Sequence, residues 1–151
     1  DYLYNVHRLL KKFDTAKSLV PQQKNKKAKQ ATTLGAIYFG STSPAMIETL
    51  DILAAQGIHL DAMRLRAFPF PDSVEKFIAD HDLTYVVEQN RDAQMHTMLV
   101  SELDINPACL MRVLHFDGTP ITAHYIARTI AKSAAATAMA ARNFPAQPEA
   151  A

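Results

Sequence analysis

One cysteine in 151 residues excludes an internal disulfide framework, and Cys109 by itself cannot hold an iron–sulfur cluster, which takes about four thiolates. Any redox metal must lie elsewhere. Glycine is nearly as scarce, at four residues, and the lone Gly40 ahead of Ser41-Thr42-Ser43 is neither a dinucleotide nor a P-loop phosphate cradle. Charge of neither sign prevails: the formal net charge of +1 gives no field that would recruit nucleic acid or an anionic membrane. No apolar run approaches the roughly 20 residues that span a bilayer, and there is no signal peptide or lipidation motif. A cytoplasmic protein without membrane or nucleic-acid partners is therefore expected. An initiating methionine is also missing, and the start at Asp1 leads us to expect a piece of something longer.

What is present suffices for one domain with tails, since 48% of the residues are hydrophobic and 21% charged. The organising stretch is Tyr85-Val86-Val87-Glu88-Gln89-Asn90, an apolar run that stops in three polar residues. Tyr and Val favour a buried strand, Asn90 is a good N-cap, and Met95, Met98, Leu99 and Leu103 then fall on one helical face from about Arg91 onward. This is a strand feeding a helix.

Residues 1–20 carry Leu3, Val6, Leu9, Leu10 and Phe13 at helical spacing, with Arg8, Lys11 and Lys12 on the other face, so an amphipathic helix leading out of a preceding domain is expected. Pro21 ends it. Residues 21–33, with Lys24, Lys26, Lys27 and Lys29, have the composition of a basic flexible linker. The main unit, 34–132, opens with the strand Leu34-Gly35-Ala36-Ile37-Tyr38-Phe39, after which Ser43 is placed to cap a helix whose first residue is Pro44. A second strand is expected over Ile58–Arg66, and the prolines of Phe68-Pro69-Phe70-Pro71 delay the next helix until Asp72, which forms a capping-box pattern with Glu75. A fourth strand is expected over Leu110–Phe116, and Thr122 caps a last helix that turns inward Ile126, Thr129 and Ile130. Residues 133–151 read as an alanine-rich helical extension and a frayed tail.

Strands alternating with helices predict an α/β fold, a mostly parallel doubly wound sheet with helices on both faces and core strand order 2-1-3-4. In such sheets ligands bind where strand order reverses, here Gly40–Ser43 beside Glu88–Asn90. Ser41, Thr42, Ser43, Glu88 and Asn90 are the candidate crevice residues, and two helix N-termini there offer amides to an anion. Each has a plainer reading. The hydroxyls can cap a helix, and Glu88 can accept hydrogen bonds at a strand end, since no acid/base partner lies near it in sequence. The six histidines, His7, His59, His81, His96, His115 and His124, lack the spacing of a helical metal site, so no metal site is expected. Cys109 reads as an inert thiol, Met95 and Met98 as core, and Phe68 and Phe70 as either a docking loop or rings buried in their own domain. No catalytic residue emerges.

Ile37-Tyr38-Phe39-Gly40-Ser41, Leu65-Arg66-Ala67-Phe68-Pro69-Phe70-Pro71, Val87-Glu88-Gln89-Asn90 with Gln94, and Phe116-Asp117-Gly118-Thr119-Pro120-Ile121 occur in an order and spacing that resemble one family. It is the C-terminal domain of the alpha subunit of 2-oxoacid:ferredoxin oxidoreductases, most like the 2-oxoglutarate type, and the resemblance covers roughly 34–132. Many relatives carry glycine where this chain has Ala93. The resemblance implies a three-layer transketolase C-terminal-like domain in an enzyme that decarboxylates a 2-oxoacid on thiamine diphosphate with magnesium, passes electrons through an iron–sulfur cluster to ferredoxin, and forms acyl-CoA on coenzyme A. It also implies that these cofactors are held mainly by other domains of the same subunit and by the beta subunit. This stretch would then be a catalytically silent scaffold at the subunit interface. The competing expectation is a free-standing α/β module that binds a small anion or nucleotide in the crevice.

Overall fold

The computed structural model describes residues 1–143; the expected frayed tail from Phe144 onward lies outside them. In chain order the elements are α1 (Tyr2–Leu19), β1 (Lys24–Lys26), β2 (Leu34–Phe39), α2 (Ser43–Ala55), β3 (Asp61–Leu65), α3 (Asp72–Ala79), β4 (Leu83–Glu88), α4 (Gln94–Leu103), β5 (Leu110–Leu114) and α5 (Ala123–Asn143). They form one sheet in the order β1-β3-β2-β4-β5. Its four main strands run parallel, in the 2-1-3-4 order that their spacing in the sequence predicts. No helix among the described residues is long and apolar enough to cross a membrane.

Near-continuous apolar runs make these strands because both faces of the sheet are covered. Ala36, Tyr38, Ala62, Tyr85, Val87 and Val113 point to one face, where Met46 and Leu53 of α2 and Ile126 and Ile130 of α5 pack on them. Ile37, Met63, Leu65 and Val86 point to the other, against Val74, Phe77 and Ile78 of α3 and Leu99 of α4. The result is three layers with two cores. Helix α5 also closes on α2 through Thr49, whose hydroxyl lies 3.3 Å from the Ala123 carbonyl.

Two strands are shorter than the sequence suggests: β3 begins at Asp61 rather than Ile58, and β5 ends at Leu114 rather than Phe116. The capping-box pattern of α3 makes no side-chain cap bond; Asp72 and Glu75 instead put negative charge into its first turn. The basic stretch 21–33 is more than a linker. Lys24–Lys26 pair antiparallel with Ala62–Arg64, which requires backbone and no apolar side chains, so composition alone does not reveal the strand.

Asp61 fastens this segment to the sheet. Its Oδ1 accepts the Ala28 amide at 2.8 Å and its Oδ2 accepts Lys27 Nζ at 2.5 Å, while the buried His81 ring sits behind with Nε2 at 3.2 Å. Burial alone would push the Asp61 carboxyl up, but the bonds from Lys27, Ala28 and His81 outweigh it and hold the group below the usual carboxylate range. A carboxyl lowered on folding stabilises the fold above its ordinary pKa, and that contribution is lost as pH falls through the folded value. Denaturant titrations should therefore show stability dropping as pH goes below about 4, with a shallower drop in Asp61→Asn.

Gly35 lets β2 approach β4 and α3 closely. A Cβ there would lie 2.9 Å from Thr84 Oγ1, 3.0 Å from Phe77 Cε1 and 3.2 Å from His81 Cγ. Gly35→Ala should cost about 1–3 kcal/mol of unfolding free energy, read from urea midpoints.

Candidate functional site at the switch point

The crevice forms where β2 and β4 end and the chain leaves to opposite sides. After Phe39, Gly40 adopts φ +57, a left-handed conformation that glycine enters without strain, and Gly40–Thr42 make a single 3-10 turn into α2. Ser43 is therefore the first residue of α2 and not its cap; Thr42 holds that place without a side-chain cap bond. The Ser43 hydroxyl faces Tyr38, whose own hydroxyl is pushed up by burial against the opposing pull of Arg64 and of the Ser43 bond.

Gln89 joins the two halves of the crevice. Its Nε2 donates to Ser41 Oγ at 3.1 Å and Thr42 Oγ1 at 3.2 Å, and its Oε1 accepts the Ile121 amide at 3.4 Å. Nothing in the sequence pattern singles Gln89 out, because its role depends on contacts 32 to 48 residues away. An open cleft of about 410 Å³ remains above it, walled by Ser41, Thr42, Asn90, Gln94, Met95 and Met98.

Glu88 is not a wall of that cleft. Its side chain is fully buried, at 0% exposure, beneath the first turn of α4. There Oε2 accepts the Met95 amide at 2.8 Å and Asn90 Nδ2 at 2.6 Å, and Oε1 accepts the His96 amide at 3.1 Å. A carboxylate at a helix N-terminus is doubly favoured, by the free amides and by the positive end of the dipole. Asn90 completes the cap from outside: its Oδ1 accepts the Gln94 amide at 3.2 Å and the Asp92 amide at 3.1 Å. The helix thus starts at Gln94, not Arg91, and of the two helix ends expected to offer amides to an anion, that of α4 has its amides occupied by the protein itself.

The residue before α4 is Ala93, at φ 52 and ψ 49. An L-residue with a Cβ is strained there by about 1–2 kcal/mol, which gives a physical reason for glycine at this position. Beside Glu88, burial and the charge of Arg112 hold the His96 imidazole below its usual range, against the pull of Glu88 and the Leu110 backbone.

The other sequence-predicted groups are dispersed. His81 is held by Phe77 O and Asp61, His115 by Asp117, and Cys109 Sγ bonds the Asn106 carbonyl at 2.9 Å. Phe70 is buried while Phe68 is 40% exposed, so that loop is divided between core and surface. Among the described residues no three His, Cys, Asp or Glu side chains converge as a metal site would need. At the crevice the polar groups that remain are the Ser41 and Thr42 hydroxyls with Gln89 between them.

No protein-family model matches the chain, and no curated protein does. Among solved structures it is similar to 2-oxoglutarate:ferredoxin oxidoreductase from Magnetococcus marinus, solved with 2-oxoglutarate, coenzyme A and succinyl-CoA bound. The TM-score is 0.69 at 21% identity, over 79% of this chain and 21% of that one. A second match is the alpha chain of a probable 2-oxoacid ferredoxin oxidoreductase from Thermoplasma acidophilum, with TM-score 0.49 at 20% identity over 74% of this chain and 96% of that one. The resemblance read from the four motifs is thus matched by a likeness of fold. This chain spans about a fifth of the length of the first structure.

Two substitutions check the cap. Ala93→Gly should stabilise the fold by about 1 kcal/mol through relief of the left-handed strain, whereas Glu88→Gln should cost about 2 kcal/mol, both measured by chemical denaturation.

Proposed function

We propose that the chain is a non-catalytic scaffolding and subunit-interface domain of a thiamine-dependent 2-oxoacid:ferredoxin oxidoreductase, with 2-oxoglutarate as the 2-oxoacid and acyl-CoA as product. The observation that carries this reading is α1. Both cores of the sheet are complete without it, yet α1 presents Leu3, Leu10 and Phe13 to solvent at 70%, 64% and 56% exposure, with Tyr2, Leu9 and Leu19 also exposed. No residue of this 18-residue helix is buried.

Its C-terminal half meets the domain. Phe13 meets Phe68 edge to face with ring centroids 6.5 Å apart, and Lys17 reaches Asp72 at 3.5 Å. An amphipathic helix is stable in water chiefly when its apolar face is covered. Covering each of the large exposed side chains is worth about 1.5–3 kcal/mol, so a partner surface over α1 would stabilise both helix and assembly. In this reading the partners are the other domains of the same subunit and the beta subunit. They carry thiamine diphosphate, magnesium, the iron–sulfur cluster and coenzyme A, and ferredoxin accepts the electrons of the assembly.

The fold supports this reading through its likeness to a 2-oxoglutarate:ferredoxin oxidoreductase. The free-standing anion-binding alternative is opposed at the switch point, where the buried Glu88 already fills the α4 amides.

The test separates folding from assembly. Leu3→Glu with Leu10→Glu should change the stability of the isolated chain by no more than about 0.5 kcal/mol, because neither side chain is buried in it. In the complete enzyme the same pair should weaken association and lower 2-oxoglutarate-dependent dye reduction at least ten-fold. Unchanged assembly and turnover would contradict the scaffold reading.

A further inference from the structure

The edge strand β1 is held to the sheet in a different way from the four parallel strands. It is three residues long, its Lys24, Asn25 and Lys26 are all exposed, and it pairs with β3 alone. No residue of 21–33 is buried, so lifting this segment off the sheet withdraws none of its side chains from a core. A segment held by exposed hydrogen bonds and no apolar burial has a low local stability.

Those bonds concentrate on one carboxylate. Lys27 Nζ and the Ala28 amide reach Asp61 Oδ2 and Oδ1 at 2.5 and 2.8 Å, and Lys27–Asp61 is the one ion pair that 21–33 makes among the described residues. Ahead of β1 the ties are neutral acceptors: the Gln22 carbonyl takes Arg66 Nη1 at 3.4 Å, and Gln23 bonds the Ser73 hydroxyl. Asp61 is not stranded when the segment leaves. His81 Nε2, 3.2 Å from Oδ2, belongs to the body of the domain, and water takes the places of Lys27 and Ala28 on the carboxylate.

The far end of the segment is pinned. Thr32 Oγ1 donates to the His59 carbonyl at 2.7 Å, and the Thr33 carbonyl accepts the Asp82 amide at 2.8 Å. Between Asp61's partners and this pin, Lys29, Gln30 and Ala31 are exposed and make no hydrogen bond among the described residues. The near end leads into α1, of which no residue is buried. Residues 21–28 thus lie between a helix without buried side chains and a slack stretch, fastened at Asp61.

We propose that residues 21–28 are a detachable strap, which lifts from β3 by turning at Lys29–Ala31 while the parallel sheet stays folded, with the Lys27–Asp61 pair as its latch. The strap is the connection between α1 and the sheet, so its opening sets how far α1 turns relative to the domain. The device goes beyond the scaffold reading and stands whether or not α1 has a partner.

The test is native-state hydrogen exchange of this chain, followed by NMR in urea below the unfolding transition. The Ala28 amide reports the strap, and the Val86 amide in β4, paired on both sides, reports the sheet. Exchange at Val86 should quicken steeply with urea because the sheet must come apart, whereas exchange at Ala28 should stay nearly flat because lifting the strap exposes little surface. Lys27→Met should lower the protection of Ala28 about ten-fold with the same flat response. Lys26→Met, on the same strand and without an ion pair among the described residues, should leave it within about two-fold. Both lysines are exposed, so neither variant disturbs a core. The proposal is overturned if Ala28 responds to urea as steeply as Val86, if Ala28 is unprotected in the unaltered chain, or if Lys27→Met changes its protection no more than Lys26→Met does.

Discussion

The buried carboxylate of Glu88 under the first turn of α4 is the contact on which the rest of the switch point depends. A charge with no exposure is tolerated only where hydrogen bonds replace its water, and here two helix amides and the Asn90 carboxamide do so. That one arrangement sets where α4 begins, obliges Ala93 into a left-handed conformation, and leaves Gln89 directed at Ser41 and Thr42 across the crevice. It also decides the chemistry. With the α4 amides filled by the protein's own Glu88 and Asn90, that helix end has none free for an anion.

Much of this was legible in the residues. The apolar runs at Leu34–Phe39 and Tyr85–Val87 read as strands that can be covered on both faces, and once they alternate with amphipathic helices the parallel order follows. Two features were not legible, for the same reason. Lys24–Lys26 form a strand through backbone pairing with Ala62–Arg64, and Glu88 caps a helix that starts six residues later; neither is written in periodicity or in local propensity. Asn90 and Ser43 show the limit of cap signals. Asn90 does bond the first helical amide but from four residues away, and Ser43 loses the cap to the tight turn that Gly40 allows.

The apolar pattern of α1 is the opposite case. Its spacing announces a helix with a buried stripe, and the helix is there, but among the described residues nothing buries the stripe. In a self-sufficient domain the stripe would be a liability to solubility; in a piece of a larger assembly it is where neighbouring domains pack. The aromatic contact from Phe13 to Phe68 and on to Phe70, whose ring centroid lies 5.3 Å from that of Phe68, links that stripe to the core at the loop entering α3. The proposed scaffold would act on catalysis by holding other groups in register, where displacements of about an ångström matter.

The most direct measurement is side-chain footprinting of α1, comparing Tyr2, Tyr4 and Phe13 in the isolated chain and in the complete enzyme. The account predicts heavy labelling in the isolated chain and strong protection in the assembly. Equal labelling in both would mean that α1 has no partner, and the scaffold reading would fail.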